Sequence, residues 1–159
     1  MKRIRPLLLA SACCLLLSEL LAAQTKPPDV RPGGGSGYFQ ALVREAKTRI
    51  REVRVDQLSA LRATSPPPVV IDVREDNEWN RSRIPGAIHV GRGVLELKIE
   101  SRIPQKETPL IVYCQGGARS AVAADVLAKM GYTEVRSLAG GLTAYQAAGL
   151  PLELSTPVE

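Results

Sequence analysis

Cys114 closes the apolar run Pro109–Tyr113 and is followed by Gln115, Gly116, Gly117, Ala118, Arg119 and Ser120. A strand, a tight loop and a helix start are expected in that order, with a lone thiol aimed into a ring of backbone N–H groups. An ordinary cysteine thiol has a pKa near 8.5 and is about 3% ionised at pH 7; making it three-quarters ionised takes about 2.7 kcal/mol. A helix opened by Ser120 supplies only about 0.3–1 kcal/mol of this, so the loop must contribute. Gly116, Gly117 and Ala118 have little side chain to obstruct converging amides, and Arg119 adds a permanent positive charge behind them. The expectation is an anion cradle that favours the Cys114 thiolate without an imidazole.

The remaining reactive residue types offer less. His89 is the only histidine of the chain and falls in a strand-like run; a structural role is expected. Outside the N-terminal segment, one cysteine and one histidine make no zinc site, so no metal is expected. Trp79 reads as a helix residue covering the core. Asp72 ends a β-branched run and should be buried, so it needs a partner, either Arg74 or the loop amides.

The elements that must position these residues alternate along the chain. Phe39, Leu42, Val43, Ala46 and Ile50 recur at helical spacing from Tyr38 onward, with Ser36 as a possible cap. Strands are expected at 53–55, 69–73, 87–90, 110–113 and 134–138, and helices at 56–63, 94–101, 120–130 and 142–148, with a helical turn at 75–81. The continuous run Val69–Val73 is what a parallel strand buried on both faces requires. Such alternation predicts an α/β domain with a single open parallel sheet of about five strands, flanked by helices on both faces. Ligands of these sheets sit at the carboxyl ends of strands, where Cys114 falls.

Residues 1–23 read as a signal peptide, with Lys2, Arg3 and Arg5 ahead of the apolar stretch Leu7–Leu17. Eleven residues is short of the roughly 20 that a spanning helix needs, so no permanent membrane span is expected. Export to the periplasm or medium is expected, and lipidation at Cys13 is a second possibility. Residues 24–37, rich in proline and glycine, read as a linker, and 38–154 as one domain. Removing the leader takes three cations and one anion from the net charge of +5. The remaining basic residues are scattered among few aromatics, which excludes a nucleic-acid surface.

The segments Val70–Glu75, Ile84–His89, Val112–Ser120 and Leu138–Leu142, with Tyr145, occur in an order that resembles the single-domain rhodaneses, a family of sulfurtransferases. The likeness runs from about Arg51 to Leu152. It departs where Ser82-Arg83 stands in place of a common glycine-histidine pair, and where Tyr145 stands near the last helix in place of a frequent tryptophan. The resemblance implies that Cys114 accepts a sulfane sulfur as a persulfide, that Gln115 to Ser120 cradle it, and that Asp72 and Arg74 support the loop. It implies a small sulfur donor such as thiosulfate, a cyanide or thiol acceptor, and no cofactor. A carrier that takes sulfur from a protein partner is the alternative, because Gln115 stands where a second cation would help capture a dianion. Related phosphatases place five residues between cysteine and arginine. Here there are four, a loss of up to about 3.5 Å of contour, which suits a sulfur anion better than a phosphate ester.

Overall fold

The computed structural model describes residues 35–154 of the chain; the expected leader, most of the linker and Cys13 lie outside them. The described residues form α1 (Gly35–Lys47), β1 (Arg51–Val53), α2 (Val55–Arg62), β2 (Val69–Asp72), α3 (Asp76–Trp79), β3 (Ser82–Arg83), β4 (Ile88–His89), α4 (Leu95–Arg102), β5 (Leu110–Tyr113), α5 (Ala118–Lys129), β6 (Val135–Leu138), α6 (Gly141–Ala147) and β7 (Glu153–Leu154). A 3₁₀ turn, Arg92–Val94, leads into α4. The main sheet has five strands in the order β1-β6-β5-β2-β4, all parallel, as expected. No helix among the described residues is long and apolar enough to cross a membrane.

The sheet is apolar on both faces because its two central strands are covered on both. Alternation along β5 sends Leu110, Val112 and the following Cys114 into one core with Leu95, Ile99 and Leu127 of α4 and α5. Ile111 and Tyr113 enter the opposite core with Leu58 of α2 and Leu142 and Tyr145 of α6. Cys114 therefore points to the layer in which α5 begins. Asp72 ends β2 directly beside Tyr113 of β5, so the two residues singled out by sequence meet at the carboxyl edge of the sheet.

Several boundaries differ from expectation. The strand placed at 53–55 is Arg51–Val53, and Val55 already opens α2. Ser36 lies inside α1 rather than ahead of it. In α1 only Val43 and Ala46 are buried, against α5, while Phe39 and Leu42 are exposed. The helix leans on another helix and not on the sheet, so the buried stripe is narrower than its apolar pattern. A second, antiparallel sheet pairs β3 with β7, closed by Arg83 Nε donating to Glu153 Oε1 at 2.8 Å. Its two-residue strands are too short to leave a periodic signal.

Candidate functional site

Cys114 is fully buried at the floor of the loop that joins β5 to α5. A loop that aims its N–H groups inward must turn its carbonyls outward, and buried carbonyls need donors. Those donors come from α6: Leu142 N donates to the Cys114 carbonyl at 2.8 Å and Thr143 N to that of Gln115 at 3.0 Å. The Gly117 carbonyl accepts from Ala121 N and from Ser120 Oγ, both at 3.1 Å. With its carbonyls so engaged, the loop brings Gly117 N to 3.2 Å from Cys114 Sγ. The amides of Ala118, Arg119 and Ser120 precede the first intrahelical bond of α5 and have no acceptor within the helix.

Glycine is required at two points of this framework. Gly117 caps α5 with φ +88°, and a Cβ there would stand 3.0 Å from Gly140 N. At Gly141, φ is +55° and a Cβ would overlap the Cys114 carbonyl oxygen. The close approach of α6 to the loop depends on having no side chain there.

The structure revises the expected role of Ser120. Gly117, not Ser120, caps the helix; Ser120 is the third helical residue, buried, and its hydroxyl shares a 2.9 Å hydrogen bond with Ser137 Oγ of β6. Its side chain braces the loop, bonded to the Gly117 carbonyl and to Ser137.

Asp72 and Arg74 form a buried pair beside the loop, both almost fully excluded from solvent. Arg74 donates to the carboxylate from its backbone N at 2.9 Å, from Nε at 3.0 Å and from Nη2 at 2.6 Å. The same guanidinium reaches the Ser82 carbonyl at 2.6 Å and Gln115 Oε1 at 3.3 Å. Gln115 in turn donates from Nε2 to Thr143 Oγ1 at 3.1 Å. The side chain of Gln115 is thus committed to the rim of the loop. Tyr113 packs under Arg74, with the guanidinium carbon 5.7 Å from its ring centroid, and accepts from Ile84 N at 3.1 Å. Burial, then the Asp72 charge, push its hydroxyl pKa above the ordinary tyrosine value, so it stays neutral.

Arg119 departs from expectation more strongly. Its guanidinium is bound by Glu78 of α3 in a two-pronged pair, Nη1 to Oε2 at 2.6 Å and Nη2 to Oε1 at 2.7 Å, with Glu75 at 4.0 Å. The charge expected behind the loop is matched by a carboxylate, and Arg119 ties the loop to α3. Glu78 was not legible as a site residue, since nothing in its own segment marks it as the partner of a residue 41 positions away.

Glu78 carries a pH signature. The hydrogen bonds from Arg119 hold its carboxyl at about 2, below the ordinary 4.5. A carboxyl whose pKa is depressed by folding adds stability that is present above about pH 4.5 and is lost as the pH falls towards 2. Both partners are partly exposed, so the effect is damped by solvent. We expect the denaturant midpoint of the wild type to fall between pH 5 and pH 2 more steeply than that of Glu78→Gln. Parallel curves for the two proteins would show that the pair contributes nothing.

His89 has the structural role expected. Its Nε2 donates to the Arg74 carbonyl at 2.9 Å, since a carbonyl can only accept. Trp79 covers this ring and not the apolar core: the two rings stack at 5.0 Å and 8°, with Arg83 on Trp79 at 4.6 Å.

Comparison with known proteins agrees with this geometry. The chain is 31% identical over 103 residues to a sulfurtransferase of Allochromatium vinosum, covering 65% of this chain and 94% of that protein. It is 36% identical over 72 residues to the thiosulfate sulfurtransferase PspE of Escherichia coli, covering 45% of this chain and 68% of that one. A solved structure from Rhodopseudomonas palustris, described as a protein of unknown function and possible tyrosine phosphatase, superposes with a TM-score of 0.66 at 30% identity, over 80% of this chain and all of that one. The rhodanese-like domain model matches residues 54–148, and with it the loop and both faces of the sheet. The chain belongs to the rhodanese-like domain family.

Proposed function

We propose that this domain moves a sulfane sulfur from a donor such as thiosulfate, through a persulfide on Cys114, to cyanide or a thiol. In the first step the Cys114 thiolate bonds to the outer sulfur of thiosulfate, and the S–S bond of the donor breaks to release sulfite. In the second the acceptor takes the outer sulfur, and the electron pair of the Sγ–S bond returns to Sγ. The observation that carries this reading is a buried Sγ 3.2 Å from the Gly117 amide, in a loop whose carbonyls are bonded outward to α6. The further amides at the start of α5 would meet the outer sulfur, as fixed donors stabilise developing charge. Asp72 and Arg74 hold the loop rim through Gln115 and take no part in bond making.

Thiocyanate formation from thiosulfate and cyanide is the test. We expect turnover by the wild type and none by Cys114→Ala; turnover that persists in the variant would end the assignment. A second reading, a sulfur carrier served by a protein donor, is favoured by one observation: Glu78 neutralises Arg119 and Gln115 is uncharged, leaving no unpaired side-chain cation within the loop 115–120 for a dianionic donor. Intact mass showing one added sulfur on Cys114 without repeated turnover would select the carrier. The phosphatase reading has against it the four-residue spacing of Cys114 and Arg119, and hydrolysis of an aryl phosphate would revive it.

A further inference from the structure

Two side-chain cations belong to the loop around Cys114 or bond to it, Arg119 and Arg74, and each is matched by a carboxylate among the described residues. Arg74 is committed to Asp72 inside the core. Arg119 and Glu78 keep side-chain exposures of 30% and 22%, so this second pair lies at the solvent edge of the loop, while Cys114 is fully buried. Glu78 is held there from two sides. Both Nη atoms of Arg119 donate to it, and the backbone N of Glu75 donates to its Oε2 at 3.1 Å at the start of α3. Glu75 itself stands 4.0 Å from Arg119. Hydrogen bonds to Glu78 raise the guanidinium above its ordinary pKa against the effect of burial, and the charge of Cys114 acts on it in the same direction. Arg119 is therefore near enough to Cys114 for a charge at one to be felt at the other, and Glu78 sits directly on Arg119.

Side chains thus leave the loop no net positive charge. What attracts an anion is the set of loop amides with the start of α5, where a helix end is worth about half a unit charge. That matches one negative charge better than two. Granted the persulfide chemistry proposed above, we infer that Glu78 is a specificity-determining residue, a fixed anion that biases Cys114 towards sulfane donors of one negative charge over dianions such as thiosulfate. An organic thiosulfonate, in which a carbon group replaces one oxygen of thiosulfate and its charge, is a donor of the favoured class. The Cys114 thiolate bonds to its outer sulfur, the S–S bond of the donor breaks, and the electron pair leaves with the sulfinate. No proton, oxidant or reductant is consumed.

The test measures kcat/KM for thiosulfate and for benzenethiosulfonate at saturating cyanide in the full chain and two variants. Glu78→Gln keeps the shape of the side chain and loses its charge; Glu78→Asp keeps the charge and changes the shape. In Glu78→Gln the ratio of thiosulfate to benzenethiosulfonate should rise about threefold to fivefold, the size of one unit of charge across a partly solvated site. Any change in how readily Cys114 ionises acts on both donors alike and cancels in the ratio. Glu78→Asp should hold the ratio of the wild type. A second pair of probes needs no sulfur transfer: the rates at which anionic iodoacetate and neutral iodoacetamide alkylate Cys114, read by mass on the peptide that carries it. The ratio of iodoacetate to iodoacetamide should also rise about threefold to fivefold in Glu78→Gln and stay at the wild-type value in Glu78→Asp. A ratio that Glu78→Gln leaves unmoved in either pair, or that Glu78→Asp raises as much, would overturn the inference. A set of proteins that shows the expected alkylation ratios while the wild type forms no thiocyanate would instead strike the persulfide reading and leave the charge filter standing.

Discussion

Arg74→Met is expected to lower the unfolding midpoint of this domain by about 10–20 °C, from a loss of about 3–5 kcal/mol. The size follows from what the substitution leaves behind. Asp72 is fully buried, and the Arg74 side chain donates to both of its oxygens, from Nε to Oδ1 and from Nη2 to Oδ2. Without the guanidinium, a carboxylate stays in the core with one backbone donor and the Tyr113 hydroxyl, and the Ser82 carbonyl loses its 2.6 Å partner as well. Domains of this size are stable by only about 5–15 kcal/mol in total, so the loss is a large fraction of the whole. Replacing both members, as Asp72→Leu/Arg74→Met, removes the orphaned charge and should recover much of the stability, because well-packed apolar pairs can replace buried ion pairs at little cost. Sulfur transfer should not recover with it, since Gln115 loses the donor that fixes its side chain. Arg74→Lys should behave more like the methionine variant than like the wild type, as an ammonium cannot reproduce the planar fork. The measurement is thermal unfolding followed by circular dichroism, and an unchanged midpoint in Arg74→Met would show that the pair adds nothing to the fold.

These residues also show where a sequence can and cannot be read. The β-branched run before Asp72 and the apolar run before Cys114 identify two strands of a parallel sheet, and an acid at the end of a buried strand calls for a partner, of which the sequence offers Arg74 or the loop amides; the structure gives Arg74. That much is local chemistry. The Glu78–Arg119 pair is not local: the two residues meet because β2 and β5 are adjacent in the sheet and α3 folds back over the loop. Ser120 was misplaced for a different reason. Serine is a preferred helix cap, but Gly117 takes the capping position in a left-handed conformation closed to residues with a side chain near Gly140. The helix then starts at Ala118, and the serine hydroxyl braces the loop against Ser137. The exposed Phe39 and Leu42 record a third limit, since an apolar stripe predicts a covered face without saying how wide the covering partner is.

The dependence of the loop on α6 leads to the second large effect. Gly141→Ala should reduce kcat/KM for sulfur transfer by about 100-fold or more, while Gly116→Ala should stay within about threefold of the wild type. A Cβ at Gly141 would overlap the Cys114 carbonyl oxygen and lie 2.8 Å from that of Gln115. These are the two carbonyls that Leu142 N and Thr143 N hold outward, so relief of the overlap must move either the start of α6 or the loop itself. Either movement displaces Sγ from the Gly117 amide, and displacements near 1 Å in a positioned nucleophile are enough for losses of this order. The left-handed backbone at Gly141 adds about 1–2 kcal/mol of strain for alanine, which a stability measurement would register separately from turnover. At Gly116 a Cβ meets nothing within 4 Å, so this substitution in the same loop controls for the mere addition of a methyl group. Persulfide loading of Gly141→Ala, followed by intact mass, locates the defect: a protein that is folded yet fails to gain sulfur has lost its cradle. One that loads and turns over as the wild type does would show that the loop carbonyls do not govern the position of Cys114 Sγ.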